Sequence, residues 1–159
     1  MKRLNFGCGN DYKEGWLNAD LYADRVDLRF DFDKFPYPLQ DNEFDYICAL
    51  QVLEHLRYSD KAMEELHRAL KPNGILEITV PHYTTAGAFV FRHHKQFSTR
   101  AIRDFTDEDR PQNELALRGI KFRLISSTRK LRVLHWDIGG ITLDFFPVWD
   151  SIRWVVKKE

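Results

Sequence analysis

Along the first half of the chain, apolar residues fall into short runs, each closed by glycine, proline or an acid, and only once do they take up a helical spacing. Strands are predicted for Arg3 to Phe6, Trp16 to Leu21 and Val26 to Phe32, joined by short loops. Phe44-Asp45-Tyr46-Ile47-Cys48-Ala49-Leu50, after the turn residues Asp41-Asn42, has the aromatic and aliphatic content of a buried fourth strand. Met63, Leu66 and Leu70 then recur at three- and four-residue intervals, with Glu64, Glu65 and Arg68 on the other face, predicting a helix capped by Ser59 and running to Leu70. Pro72-Asn73-Gly74 stops it, and Gly74 to Val80 reads as a fifth strand. A strand, a helix and a strand in that order lie parallel by the right-handed crossover, so the sheet is at least partly parallel.

Beyond Pro81 the pattern changes to a polar and aromatic stretch, Tyr83 to Phe97, with a helix expected near Thr99 to Phe105 and a charged loop from Asp107 to Arg118 as a lid. Lys121 to Ser126 and Lys130 to Trp136 are expected to form a closing hairpin. Pro147 to Val156 is expected to form a terminal helix, with Val148, Trp149, Ile152 and Val156 on one face. The expected class is α/β: a mostly parallel sheet with flanking helices and an antiparallel closing hairpin, in one domain over 1–159. Its 159 residues, 43% of them apolar, suffice for a sizeable core.

In such sheets ligands collect beyond the carboxyl ends of the strands, where Gly7 to Tyr12, Asp20, Asp31, Leu50 to His55 and Pro81 to Tyr83 would gather. Leu4-Asn5-Phe6-Gly7-Cys8-Gly9 carries a strand tip into Gly-x-Gly, and the next strand ends on Asp20. Glycine lets backbone approach a ligand, and a carboxylate can accept both hydroxyl hydrogens of a ribose, so a nucleoside cofactor is expected. A dinucleotide fits less well. Tyr12 stands where the third glycine of that fingerprint belongs, and Asp20 follows Gly9 by eleven residues, too few for a crossover helix.

These residues resemble the class I S-adenosylmethionine-dependent methyltransferases, in particular their short-loop members. The likeness runs through Leu4-Asn5-Phe6-Gly7-Cys8-Gly9, Gly15-Trp16-Leu17-Asn18-Ala19-Asp20, Asp31 to Pro38, Asn42-Glu43-Phe44-Asp45, Val52-Leu53-Glu54-His55 and Leu70-Lys71-Pro72-Asn73-Gly74 to Val80-Pro81. The resemblance implies a Rossmann-like fold, S-adenosyl-L-methionine as cofactor, and methyl transfer to a small-molecule acceptor by in-line displacement. It implies that Asn5, Gly7, Cys8 and Gly9 form the cofactor loop and that Asp20 and Leu21 take the ribose. Asp31 and Phe32 would contact adenine, with Asp33 as the register alternative, and Leu50 and Gln51 would wrap the methionine portion. Many relatives carry an acid where Asn5 sits, and a neutral amide forgoes roughly 1–2 kcal/mol of charge-assisted contact to an ammonium. His82, His94 and His55 are the candidate acid–base residues on the acceptor side.

Residues 1–60 hold 12 acids against 7 bases, and 61–159 hold 12 against 17, which suits a cationic cofactor in the first half and an anionic acceptor in the second. A neutral balance, and Val80-Pro81-His82-Tyr83 in place of an Asp/Asn-Pro-Pro-Tyr/Phe motif, argue against nucleic acid as substrate. His82, His93 and His94 lie close in sequence, but adjacent histidines diverge and an acid at ligand spacing is missing, so no metal is expected. Cys8 and Cys48 do not read as a disulfide framework. With neither a signal peptide nor a membrane span expected, a cytoplasmic location is anticipated. Phe145, Phe146, Trp149 and Trp154 suggest packing on the sheet or a homodimer contact, with a membrane-surface helix as a third option. The rival from another class is a non-catalytic S-adenosylmethionine-binding module or regulatory subunit.

Overall fold

A computed structural model describes residues 1–106, 120–138 and 141–159, with backbone alone for 131–138 and 141–150. Its strands are β1 (Arg3–Phe6), β2 (Leu17–Asp20), β3 (Leu28–Arg29), β4 (Phe44–Leu50), β5 (Leu70–Pro81), β6 (Phe122–Ile138) and β7 (Ile141–Lys158), joined in one sheet of order β3-β2-β1-β4-β5-β7-β6. The first five pair in parallel, and β7 enters antiparallel between β5 and β6. This is the expected mostly parallel sheet with a closing hairpin. The helices are α1 (Ser59–Ala69) and α2 (Arg103–Thr106), with single 3-10 turns at Leu53–His55 and Ala86–Phe89.

One face of the sheet carries the core. Leu4, Phe6, Ile47, Ala49, Leu76, Ile78, Ile152, Trp154 and Val156 are all buried there, against Met63 and Leu66 of α1. Phe32 stacks on Phe6 with ring centroids 3.9 Å apart, so the segment after β3 lies over the tip of β1. The opposite face is polar at its centre: Asn5, Asn18 and Cys48 are buried beneath the Gly7–Trp16 loop, while Tyr46, Glu77 and Val155 are half-buried.

That loop joins two parallel strands without a helix, and a side-chain network substitutes for one. The Asn18 carbonyl oxygen accepts from the Asn5 amide (3.0 Å) and from the Lys13 N–H (2.8 Å), and its own amide donates to the Lys13 and Trp16 carbonyls and to Asp27. Asp27 also accepts from the Asn18 N–H and from the Tyr12 hydroxyl, both at 2.7 Å. The donors on Asn18 hold the Asp27 carboxyl below the usual range.

Five expectations are corrected. The terminal segment is strand, not helix: Ile152, Trp154 and Val156 are buried and alternate with Ser151, Arg153, Val155 and Lys157, a period of two that β5 selects by pairing with it. The closing hairpin is formed by β6 with β7, so Lys121 to Ser126 and Lys130 to Trp136 belong largely to one strand rather than two. Ser59 does not cap α1. Asp33, from the connection before β4, instead accepts from the Arg57 N–H at 3.0 Å and the Tyr58 N–H at 3.2 Å, so a tertiary contact fixes the backbone that leads into the helix. The helix near Thr99 contracts to Arg103–Thr106, and the third strand to Leu28–Arg29. The charged loop Asp107 to Arg118 lies outside the described residues.

Candidate active site

Strand order reverses between β1 and β4, whose neighbouring carboxyl ends open the crevice where α/β sheets take ligands. Gly7 leaves β1 at φ +75°, and its N–H and that of Cys8 both donate to the Ala19 carbonyl, at 2.8 and 3.0 Å. A Cβ on Gly7 would stand 2.3 Å from Cγ2 of Val52, so the tips of β1 and β4 meet at a distance that only glycine allows. Gly9, at φ +47°, has nothing within 4 Å of where its Cβ would be. Its backbone therefore borders open space.

Asp20 ties this loop to β2. One carboxylate oxygen accepts from the Gly9 N–H at 2.9 Å, and the other from the N–H groups of Tyr22 (2.7 Å) and Ala23 (3.0 Å). Burial pushes the carboxyl up, but the amides of Tyr22, Gly9 and Ala23 outweigh it and hold Asp20 below the usual carboxylate range. The side chain is only half-buried, so the oxygen toward Gly9 keeps acceptor capacity on the crevice side. Leu21 follows, half-buried, with its carbonyl accepting from Arg29.

Of the remaining candidates, Asp31 is half-buried, accepts from the Asp33 N–H at 3.0 Å and lies 3.7 Å from Lys34. The Phe32 ring is committed to the core, and its carbonyl accepts from the buried Tyr37 hydroxyl at 2.7 Å. Asp33, the register alternative, is engaged at the start of α1. Asn5 is 2% exposed. Its amide donates to the Asp11 carbonyl (2.7 Å) and to Asn18, and its oxygen accepts from Cys48 Sγ at 3.2 Å, so it lies under the loop. Cys8 is buried, and burial raises its thiol pKa, with Asp20 adding to the effect. Leu50 ends β4 half-buried, and Gln51 follows at φ +58°, a left-handed conformation that a non-glycine residue holds at a cost of about 1 kcal/mol. Its N–H donates to the Thr79 carbonyl at 2.8 Å, which fixes the turn out of the sheet.

The candidate histidines separate into two places. His82, buried at the end of β5, pairs its Nδ1 with the Thr84 hydroxyl at 2.7 Å, and burial lowers its pKa. His55 ends the turn after β4 and meets His93 edge to face, with ring centroids 4.6 Å apart. Burial, and then the neighbouring His93, lower the His55 pKa. His94 is exposed, and its N–H donates to the Glu54 carbonyl at 2.8 Å, which draws residues 93–95 onto that turn.

Sequence reasoning set His93 aside as a metal ligand and gave Glu54 no role of its own. Glu54 is 1% exposed, and burial pushes its carboxyl up to about 7. The available signal was an acid set among Val52, Leu53 and Leu56, all of which are buried. His93 carried no such signal, because only the fold brings it to Glu54.

Residues 4–78 match the family described as "Methyltransferase domain". Two curated relatives are similar to the chain in part. A sterol 24-C-methyltransferase of Gibberella zeae is 29% identical over 106 residues, 49% of this chain and 27% of that protein. A ubiquinone/menaquinone biosynthesis C-methyltransferase of Neisseria gonorrhoeae is 34% identical over 68 residues, 41% of this chain and 27% of that protein. The matched stretch thus spans about a quarter of the curated relatives. Among solved structures, an S-adenosylmethionine-dependent methyltransferase from Aquifex aeolicus superposes with a TM-score of 0.58 at 16% identity, covering 100% of this chain and 82% of that one. At that identity the likeness establishes the fold.

Proposed function

From the match of residues 4–78 to the methyltransferase domain family, we propose that the protein transfers the methyl group of S-adenosyl-L-methionine to a small-molecule acceptor by in-line displacement. The observation that carries this reading is the joined rim: the Gly9 backbone borders open space and is bonded to the Asp20 carboxylate at 2.9 Å, while Gly7 touches Val52 after β4. Tips of three strands thus meet where a nucleoside needs a close backbone, a carboxylate for its ribose and a polar wall for its base.

When bound, the cofactor supplies a methyl group already activated as a sulfonium. The chain's own residues then have positioning and water exclusion to perform, and aligned attack accounts for roughly 7–11 kcal/mol of such a barrier. Asp20, with Leu21, binds the ribose hydroxyls, and Asp31 accepts from the adenine amine beside the Phe32 backbone. Leu50 and Gln51 line the methionine end through main-chain groups, since Asn5 is occupied under the loop. His94 and His82 border the acceptor, and a base there matters only for weakly acidic nucleophiles. The acceptor is a small anionic or hydroxylated molecule. No helix among the described residues is long and apolar enough to cross a membrane.

Calorimetry with S-adenosylmethionine and S-adenosylhomocysteine, followed by S-adenosylhomocysteine formation across a panel of metabolites, tests the proposal. Binding of both with accelerated turnover by at least one acceptor is expected. Binding with no acceptor ever turned over would favour a binding module, and no binding of either nucleoside would refute both readings. Replacing His94 with alanine is expected to reduce acceptor turnover at least tenfold with cofactor affinity held within threefold.

A further inference from the structure

Glu54, His55 and His93 form a cluster that chain spacing does not announce, because 38 residues separate the two histidines. One ligating atom from each lies within 4.8 Å of the others. Among the described residues, neither carboxylate oxygen of Glu54 has a hydrogen-bond partner, and Nδ1 of His93 is also buried without one. The arrangement is held by backbone: the His94 and Lys95 N–H groups reach the Glu54 carbonyl at 2.8 and 3.4 Å, fastening the segment that carries His93 to the turn that carries Glu54.

Buried polar atoms in folded proteins nearly always have partners, so the unpartnered Glu54 carboxylate and the unpartnered His93 Nδ1 call for a ligand that accepts lone pairs. A cation does so. One carboxylate and two imidazoles are the donor set of first-row divalent transition ions, softer than an all-oxygen cage for magnesium or calcium. Bonds of about 2.0–2.2 Å place such ligand atoms roughly 3–4 Å apart, within reach of small side-chain rotations from the separation seen. The cluster is buried on the Glu54 side and exposed at His55, so three protein ligands would leave coordination positions facing solvent.

We propose that Glu54, His55 and His93 bind a divalent transition-metal ion of the zinc type, whose open position takes an oxygen of the methyl acceptor. The ion's role toward the acceptor rests on the methyl-transfer reading; the binding of the ion does not. Glu54 lies three residues past Gln51, on the turn whose Val52 touches Gly7, so an acceptor held there borders the cofactor crevice. An acceptor hydroxyl at the ion loses its proton to solvent. Its oxygen then forms the new C–O bond while the S–CH3 bond breaks and the bonding pair remains on sulfur.

The full chain, stripped with chelator, is titrated with Co2+ by visible absorption and with Zn2+ by calorimetry, alongside Glu54→Gln, His93→Ala and His94→Ala. One equivalent is expected to bind to the unaltered chain and to His94→Ala. A loss of at least 100-fold is expected in Glu54→Gln and His93→Ala, each keeping a cooperative melt and unchanged affinity for S-adenosylhomocysteine. No Co2+ bands in the unaltered chain, or equal metal affinity in both ligand variants, would overturn the site. Metal binding as expected in a chain that takes up no nucleoside would uphold the site and remove the methyl-transfer role.

Discussion

Exchanging Asp20 for asparagine separates the carboxylate's work in the loop from its work on a ligand. In the present structure one oxygen serves the Tyr22 and Ala23 amides and the other the Gly9 amide, at 2.7 to 3.0 Å. An asparagine has one acceptor end. It can keep Tyr22 and Ala23, turning its NH2 group against the Gly9 N–H, or keep Gly9 and forfeit the other two. The first choice loses one charge-assisted bond in a half-exposed setting, about 1 kcal/mol of stability. The ligand suffers more, because the crevice-facing oxygen has become a donor and can no longer accept from ribose hydroxyls. Two such bonds amount to about 2–4 kcal/mol, or a 30- to 1000-fold rise in Kd for S-adenosylhomocysteine. Calorimetry on a variant with an otherwise normal melt measures this, and a Kd within threefold of the unaltered protein would refute the ribose assignment.

The two loop glycines should differ. Gly7→Ala drives a methyl into Val52 at a left-handed φ and is expected to destabilise by about 2–4 kcal/mol in urea titration. Gly9→Ala has room and should lose only about 1 kcal/mol, yet bind cofactor at least tenfold more weakly because its new methyl enters the crevice; undiminished binding would contradict the site. Asn18→Ala strands one of the two Asn5 amide hydrogens, the Lys13 N–H and part of Asp27, and a loss of about 3 kcal/mol is expected, with stability equal to the parent as the contrary result. His67 is buried on α1 beside Phe122, and burial, with the Lys158 charge, lowers its pKa to about 4 against an ordinary 6.5. The folded state therefore binds fewer protons than the unfolded one between those values. Stability should be complete above pH 6.5 and fall by about 3 kcal/mol as the pH drops through 6.5 to 4. His67→Gln should flatten that slope in denaturant titrations across the window, and an unchanged slope would assign it to other groups.

Local chemistry was legible from the chain. The Gly7-Cys8-Gly9 turn, the acid at the end of the second strand, and the strand, helix and strand around Met63, Leu66 and Leu70 each rest on neighbours within about ten residues, where glycine, turn residues and side-chain periodicity act directly. The joined rim followed, because parallel strands put their carboxyl ends on one side.

What the sequence could not contain is any choice settled by a distant partner. Pro147 to Val156 carries apolar residues at both helical and alternating spacing, and only the open edge of β5 converted that ambiguity into a strand. The Arg57 and Tyr58 amides that lead into α1 were taken up by Asp33, since a carboxylate from another segment reached them. Asn5 became a support for the loop because Asn18 and Cys48, thirteen and 43 residues away, were brought beside it. Glu54 and His93 likewise became neighbours through backbone bonds between their segments. Hydrophobic pattern and turn chemistry are properties of short stretches, whereas a buried polar group takes whichever partner folding delivers; the sequence therefore determined the strands and helix of the first half and the glycine turn, and the tertiary structure decided the form of the terminal segment, which polar side chains serve the scaffold and which face the site.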